Sequence, residues 1–237
     1  MANANLTNNI KAKHTFLCIP GYITSLYKKA YMNHRYFNRF DSDFFAYLST
    51  FGNYGRLSTS LLNEIDSGDS VLQVGNSYGV LIKQIAEKVG ENGFFEIIDV
   101  LPVQTNNARL KLSPWPFFKA TAADAEFFKG SKYDVIVCYF LLHELPDAKK
   151  SRVIKNLLSL LTPHGKIVFI DYHHPHKFNI FKYLLIALNR LIEPFAESLM
   201  TKDIKEFIPK DSKYIWTVKP YFGGLYQKTI VKRKKGV

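Results

Sequence analysis

From residue 70 onward, short apolar runs alternate with stretches in which apolar residues recur every three or four positions. Apolar runs bounded by turn residues predict buried strands, whereas the three-to-four spacing predicts amphipathic helices. Strands are predicted at 71–74, 94–98, a run ending at 119–120, 133–140 and 166–171, and helices at 78–89, 101–112 and 147–161. Buried strands that alternate with helices favour an α/β fold in which helices cover both faces of a mainly parallel sheet.

The pattern changes after the fifth predicted strand. A long apolar and basic segment, 178–207, precedes two strand-like runs at 214–218 and 226–231, with Gly223 and Gly224 between them. This ending predicts an antiparallel hairpin that completes a seven-stranded sheet.

The residues before the sheet have a different composition. Residues 16–66 are rich in tyrosine and phenylalanine and favour helices, one of which Asp41 or Ser42 is expected to cap. We therefore predict an N-terminal helical extension, 1–66, that faces substrate or membrane, and an α/β domain, 67–237.

The chain of 237 residues carries a formal charge of +12, which calls for a polyanionic partner. An anionic membrane is favoured over nucleic acid, because no RNA-binding module or arginine-rich tract is evident. No apolar run reaches the roughly 18–20 residues that span a bilayer, and two distant cysteines, Cys18 and Cys138, favour a reducing compartment. Residues 1–40 hold six basic and no acidic side chains, so a mitochondrial transit peptide is the second reading.

The segment VLQVGNSYG, 71–79, predicts a strand that enters a glycine-bearing turn and then a helix. Glycine lets the backbone approach a ligand closely, and a helix start offers unpaired amides. About 20 residues later, Asp99 ends the second predicted strand, where a carboxylate can accept both ribose hydroxyls of an adenosine. A tightly packed turn that binds nothing is the alternative.

These residues resemble the first two motifs of class I S-adenosylmethionine-dependent methyltransferases, which have a Rossmann-like fold. The resemblance implies cofactor contacts by Gln73, Gly75, Tyr78, Gly79, Asp99, Val100, Asp124, Ala125 and Tyr139. Two residues depart from that pattern: Gln73 stands where the family has an acidic residue, and Ser77 replaces the middle glycine. Dinucleotide binding competes, but Ser77 breaks that fingerprint too.

Polar clusters follow the fourth and fifth predicted strands, at 140–147 and 171–176. Each contains histidine and carboxylate, so together they offer ligands for a hard divalent ion or a general base. His143 and His173 are the preferred candidates, because both follow buried strands at the ligand-binding edge of the sheet. Asp147 is expected to cap the next helix, while His174 and His176 are expected to be exposed loop residues.

Several runs together resemble the RquA family of rhodoquinone-biosynthesis proteins. They are FLLHELPD (140–147), DYHHPH (171–176), LIEPFA (191–196), VLQVGNSYG (71–79), IPGYITSLYKKAYMNHR (19–35) and GNYGRL (52–57). The resemblance implies conversion of ubiquinone to rhodoquinone, in which an amino group from S-adenosylmethionine replaces a ring methoxy group and Mn²⁺ supports the reaction.

On this reading, the roles at the reaction site fall to a few residues. The expected metal ligands are His143, Glu144, Asp171 and His173, and the expected catalytic residues are His143, His173, Tyr172 and Gln73. A neutral Gln73 would not hold the donor amine as ammonium, so the amine stays able to attack the ring. An ordinary methyltransferase acting on a quinone or another small aromatic ring is the alternative.

A long-tailed quinone resides in the bilayer, so the enzyme must meet a membrane. Residues 178–199 mix large apolar side chains with Lys182 and Arg190, a composition that suits an in-plane interfacial helix, although a core-facing helix is equally expected. We expect peripheral binding at the cytoplasmic face of the inner membrane, or at the matrix side of the mitochondrial inner membrane. The sequence does not indicate an oligomeric state.

Overall fold

The computed structural model describes residues 19–22, 41–208 and 213–234. Most of residues 1–40, which hold the six basic side chains considered above, lie outside these ranges, as does Cys18. Within them, no helix is long and apolar enough to cross a membrane.

One seven-stranded sheet organises the described residues, in the order β3-β2-β1-β4-β5-β7-β6. Its strands are β1 Ser70–Val74, β2 Phe94–Asp99, β3 Phe118–Ala122, β4 Tyr133–Tyr139, β5 Leu161–Tyr172, β6 Tyr214–Tyr221 and β7 Tyr226–Arg233. Strands β1 to β5 are parallel, while β7 is antiparallel to both β5 and β6. The predicted Rossmann-like α/β sheet with its terminal hairpin is confirmed.

The α-helices of the described residues flank this sheet. They are α1 Asp43–Ser49, α2 Tyr54–Leu62, α3 Leu81–Val89, α4 Pro102–Lys111, α5 Asp147–Ser159 and α6 Phe181–Ile192. Ser42, one of the two expected caps, accepts a hydrogen bond from the Phe45 amide at 3.2 Å. Asp147 is not a cap, contrary to expectation. It is the first residue of α5, and its carboxylate pairs with Lys150 and Lys202.

Helix α2 packs on the sheet rather than standing apart from it. Its Leu57 and Leu61 are fully buried in the same apolar core as the central strands, and α2 contacts β5 and β7. Helix α6 differs, because Leu185 and Asn189 are the buried ones among its described side chains. Its apolar residues therefore face largely outward.

Two elements start elsewhere than predicted. Helix α3 begins at Leu81 instead of 78, because Gly79 has a φ of 74° and the turn continues through Val80. Strand β5 begins at Leu161 instead of 166. Leu161 pairs with Tyr133, the register then shifts, and regular pairing with β4 continues from Lys166. The turn after β1 is therefore longer than the pattern indicated.

Candidate active site

Near the end of β1, the Gln73 side chain presents a buried amide beside the turn that follows the strand. Gln73 is fully buried, and its Nε2 donates to the Gly75 carbonyl and to Ser77 Oγ, both at 3.0 Å. Gln73 Oε1 has no hydrogen-bond partner within the described chain. Buried polar atoms are nearly always paired, so this oxygen is a candidate acceptor for a hydrogen bond from a ligand.

Asp99 ends β2 beside that turn. Its Oδ2 accepts the Asn76 amide at 2.9 Å, and its Oδ1 accepts the Leu101 amide at 2.8 Å. Burial raises the pKa of the Asp99 carboxyl to about 6, although the two amides oppose that rise. These bonds fix a carboxylate with spare lone pairs where an adenosine ribose is expected.

The start of α3 is capped by residues from the preceding segment. The Gly79 amide donates to Asp41 Oδ1 at 3.0 Å, the Val80 amide to Asp43 Oδ1 at 2.9 Å, and the Leu81 amide to the Tyr54 hydroxyl at 3.1 Å. A dinucleotide would place its pyrophosphate on such amides. Two carboxylates occupy them here and would repel it, so the competing dinucleotide interpretation loses support.

The other expected cofactor residues lie around this edge. Asp124 follows β3 and pairs with Lys149 at 2.5 Å, while the Ala125 carbonyl accepts from Asn156. Val100 packs on Leu101, and the half-buried Tyr78 contacts Phe45 edge-on. Tyr139 ends β4, and its buried hydroxyl lacks a partner among the described residues.

His143 lies on a 3₁₀ turn, Leu142–Glu144, directly after β4, and a buried carboxylate orients it. Asp171 Oδ1 lies 3.0 Å from His143 Nδ1, and Asp171 Oδ2 accepts the Leu142 amide at 2.8 Å. Asp171 Oδ1 also accepts the Tyr172 amide at 2.8 Å. Both oxygens of Asp171 are therefore engaged, which makes it a residue that orients His143 rather than a free ligand.

A negative environment surrounds the His143 ring. Burial alone would lower its pKa, but the charge and hydrogen bond of Asp171, with Glu193 and Glu144, raise it to about 9. One potential ligand atom from each of His143, Glu144 and Glu193 lies within 4.8 Å of the others. This cluster favours a cation.

Glu193 was not identified from the sequence, although it stands in the run LIEPFA used for the family resemblance. The fully buried Lys150 contacts the segment that follows Glu193. Lys150 Nζ donates to the Phe195 carbonyl at 2.8 Å and to Ser198 Oγ at 2.6 Å, and it pairs with Asp147. Helix α5 thereby holds in place the segment that carries Glu193.

His173, the fourth expected metal ligand, groups elsewhere. Its potential ligand atom lies within 4.8 Å of those from His174 and Asp203, and its ring stacks on His174 with centroids 4.6 Å apart. His174 and His176 are exposed, as expected. The structure thus does not assemble the expected four-residue set, because Asp171 is engaged by other groups and His173 joins a second cluster.

Aromatic side chains fill the space beside His143. The buried Tyr172 lies 4.8 Å from the His143 ring, measured between centroids, and stacks on Tyr226 at 6.0 Å. Across the described ranges, seven buried side-chain polar atoms lack a partner. Five of them belong to the edge formed by the strand ends and the hairpin: Gln73 Oε1, Asn76 Oδ1, Tyr139 OH, His173 Nδ1 and Tyr226 OH. Such clustering is typical of a site that binds a polar ligand.

Known proteins are similar to parts of this chain in sequence or in fold. Residues 71–165 match the family described as a methyltransferase domain. The ubiquinone/menaquinone biosynthesis C-methyltransferase UbiE of Teredinibacter turnerae is 26% identical over 152 residues, 62% of this chain and 59% of that protein. The demethylmenaquinone methyltransferase of Lactococcus lactis is 27% identical over 146 residues, 60% of this chain and 56% of that protein. The chain thus spans less than two thirds of these relatives.

Among solved structures, the N-methyltransferase NodS of Bradyrhizobium japonicum in complex with S-adenosyl-L-homocysteine has a similar fold. The TM-score is 0.57 at 16% identity, covering 91% of this chain and all of NodS. Residues 71–165 thus match a methyltransferase domain, and the described residues have the Rossmann-like fold of the class I S-adenosylmethionine-dependent methyltransferases.

Proposed function

We propose that this chain is an S-adenosylmethionine-dependent enzyme that converts ubiquinone to rhodoquinone by replacing a ring methoxy group with an amino group. The observation that carries the proposal is Gln73, a fully buried neutral amide whose Oε1 has no partner in the described part of the chain. An acidic residue at this position would hold the donor amine as ammonium, which has no lone pair. The Gln73 oxygen accepts a hydrogen bond from a neutral amine and leaves the lone pair free.

The cofactor fits the residues present. Asp99 would accept hydrogen bonds from the ribose, Gln73 would receive the amino group, and the turn at Gly75 allows close approach. A side chain at Gly75, where φ is 81°, would meet Leu141 Cδ1 at 3.2 Å. S-adenosylmethionine, when bound, supplies the nitrogen.

A quinone substrate is supported by the relatives, whose names concern ubiquinone, menaquinone and demethylmenaquinone. The aromatic surroundings of His143 suit a planar ring. During substitution, a carbon–nitrogen bond would form at the methoxy-bearing carbon, the carbon–oxygen bond would break, and methoxy would leave as methanol. Elimination across the cofactor's Cα–Cβ bond would then break its nitrogen–Cα bond, move a proton to the nitrogen and leave the amino group on the ring. Burial raises the pKa of Tyr172 well above its usual value, so Tyr172 keeps its proton and donates it to the departing oxygen.

Mn²⁺ fits the cluster of His143, Glu144 and Glu193, which offers one nitrogen and two carboxylate oxygens. His143 would bind through Nε2, because Asp171 engages Nδ1 and fixes the ring orientation. The ion, when bound, polarises a quinone carbonyl as a Lewis acid. His173 has no direct role in this arrangement, since its ring groups with His174 and Asp203.

Binding to an anionic membrane accompanies this function. The exposed side chains Phe178, Tyr183, Leu184, Leu188 and Ile192 form an apolar surface along and before α6. Lys177 lies 4.8 Å from the Phe178 ring centroid, and Lys182 lies 4.8 Å from that of Tyr183. Cations beside exposed aromatic rings suit the headgroup region of anionic lipid. The cytoplasmic face of the inner membrane, or the mitochondrial matrix side, is the proposed location.

Isotope-labelled cofactor tests the proposal. Purified protein is incubated with ubiquinone, Mn²⁺ and S-adenosylmethionine labelled with ¹⁵N at its amine and ²H₃ at its methyl group, and the quinones are identified by mass spectrometry. Transfer of ¹⁵N with loss of the methoxy group supports amination. A product that carries the deuterated methyl group, or no product from the complete mixture, contradicts it. The Asp99→Asn variant serves as the control for dependence on bound cofactor.

Ordinary methylation of a quinone ring is the second candidate, because the matched relatives are named as methyltransferases. A demethoxylated or demethylated quinone offered in the same assay discriminates between the two. Deuterated methyl product from that substrate would favour methylation.

A further inference from the structure

An apolar groove opens beside α1. It has a volume of about 530 Å³ and is lined by Asp43, Phe44, Tyr47, Leu48, Phe51 and Gly52. Phe44 is 79% exposed and Leu48 is 63% exposed, so the groove faces outward. Asp43, on its wall, also caps the Val80 amide at the cofactor turn. The groove therefore adjoins the cofactor edge but does not reach His143 itself.

Three phenylalanines between the groove and the interior have a backbone conformation that is rare for bulky residues. In the described ranges, the non-glycine residues with positive φ are Phe51 at 47°, Phe140 at 50° and Phe222 at 47°. Bulky side chains rarely adopt this conformation, and such strain concentrates at functional sites. All three are phenylalanines, and each contributes to one series of ring contacts.

The contacts run from the surface to His143. Ring centroids are 5.3 Å apart for Phe51 and Phe181, 5.1 Å for Phe181 and Phe222, and 6.4 Å for Phe222 and Tyr226. The series continues from Tyr226 to Phe140 at 5.6 Å and from Phe140 to His143 at 6.0 Å. Phe181 is 37% exposed and Tyr226 is fully buried, so the series connects solvent with the site.

Asn179 fixes the outer part of this series. Its Nδ2 donates to the Phe222 carbonyl at 2.8 Å, and its Oδ1 accepts the Phe181 amide at 3.1 Å. One side chain thus joins the strained turn of the β6–β7 hairpin to the start of α6. Asn179 therefore fixes the backbone of both Phe181 and Phe222, whose rings are in contact.

The inner part of the series contains an unpaired donor. The Tyr226 hydroxyl is buried without a partner in the described chain, and burial raises its pKa far above the usual value, so it keeps its proton. An unpaired buried phenol is costly unless a ligand accepts its hydrogen bond. Because only aromatic rings separate it from the surface along this series, the missing acceptor fits an oxygen on an apolar ring.

We propose that Phe51, Phe181 and Phe222 line the entrance for an oxygenated aromatic substrate with an apolar tail, and that Tyr226 donates a hydrogen bond to a ring oxygen of that substrate. The identity of this ring as a quinone rests on the proposed function. The tail would remain in the groove beside α1, near the exposed apolar side chains of α6.

Fluorescence of a Phe181→Trp variant tests the entrance. Titration with a short-tailed water-soluble ubiquinone analogue should quench the added tryptophan in a saturable way beyond the quenching of Trp115 and Trp216 in the parent chain. The matched control is Leu110→Trp, since Leu110 is 75% exposed on α4, which packs on β2 and β3 at the other end of the sheet. Equal, non-saturable quenching in both variants would overturn the entrance.

Removal of the hydroxyl tests the inner end. In the Phe181→Trp background, Tyr226→Phe should weaken quinone binding about 5-fold, the effect of one lost hydrogen bond. Tyr214→Phe, which removes a hydroxyl at the start of the edge strand β6, opposite the end of the hairpin that carries Tyr226, should leave binding unchanged. Unchanged affinity in Tyr226→Phe would overturn the role of Tyr226. Saturable, Tyr226-dependent binding without amination would refute the proposed reaction and leave the entrance standing, while amination without such binding would do the reverse.

Discussion

Two histidine clusters lie near the carboxyl edge of the sheet, and they differ in what surrounds them. In the first cluster His143 is 6% exposed, Asp171 orients its ring, and Glu144 and Glu193 face it. In the second cluster the His174 side chain is 41% exposed. Asp203 there pairs with Lys205 at 2.9 Å and forms a capping box with Glu206. The same residue types thus make a buried, oriented site in one case and a surface group with an occupied carboxylate in the other.

Replacement of each histidine gives the sharpest contrast. We expect His143→Ala to lower turnover by about 10²–10⁴-fold, the range for loss of a group that acts on the reacting atoms. His173→Ala should change turnover by only a few-fold, because its cluster is separate. Calorimetry with S-adenosylhomocysteine should show intact cofactor binding in both variants. Comparable losses of turnover in His143→Ala and His173→Ala would show that the two clusters do not differ in function.

The second-largest effect is expected when Asp171 can no longer orient the His143 ring. Asp171→Asn should weaken Mn²⁺ binding by about 10–100-fold, as loss of an outer-shell partner of a ligating histidine does. Without added metal, the pKa of His143 should fall from about 9, because the charge of Asp171 opposes the effect of burial. Electron paramagnetic resonance measures the metal, and histidine NMR measures the pKa.

The matched change in the other cluster is Asp203→Asn. It should leave Mn²⁺ affinity unaltered, since its carboxylate already serves Lys205 and the capping box. Equal weakening by Asp203→Asn would place the metal in the second cluster.

A smaller effect is expected at Glu193. Glu193→Gln keeps the shape but loses the charge of one proposed ligand, so Mn²⁺ affinity should fall by about 10-fold. Glu197→Gln is the matched control, because Glu197 is exposed four residues further along the same segment. Retention of full affinity in Glu193→Gln would exclude Glu193 as a ligand.

The smallest expected effect is a pH dependence of cofactor affinity, which arises from Asp99 and not from either histidine cluster. Asp99 has its pKa raised to about 6, so its carboxylate becomes protonated as the pH falls through that value. Cofactor affinity should therefore be constant above pH 7 and decline by several-fold near pH 5. Calorimetry of S-adenosylhomocysteine without metal checks this, and the decline should vanish in Asp99→Asn.

The sheet and its hairpin could be predicted because strand and helix patterns are local. The turn at 71–79 and Asp99 followed from their fixed spacing on a βαβ unit. Glu193 could not be found in this way, since it is brought to His143 by the return of a segment that Lys150 anchors. The occupied oxygens of Asp171 and the separate grouping of His173 depend on side-chain directions, which residue order does not specify.

The capping of α3 limits how far the amino end of this protein can be truncated. The match to known methyltransferase domains begins at residue 71, yet the acceptors for the amides at the start of α3 come from Asp41, Asp43 and Tyr54. A fragment trimmed to the matched residues would expose these amides beside its ligand turn. We therefore expect the smallest unit that folds intact to begin at or before Asp41, so that it is longer at its amino end than the segment matched by the methyltransferase-domain family.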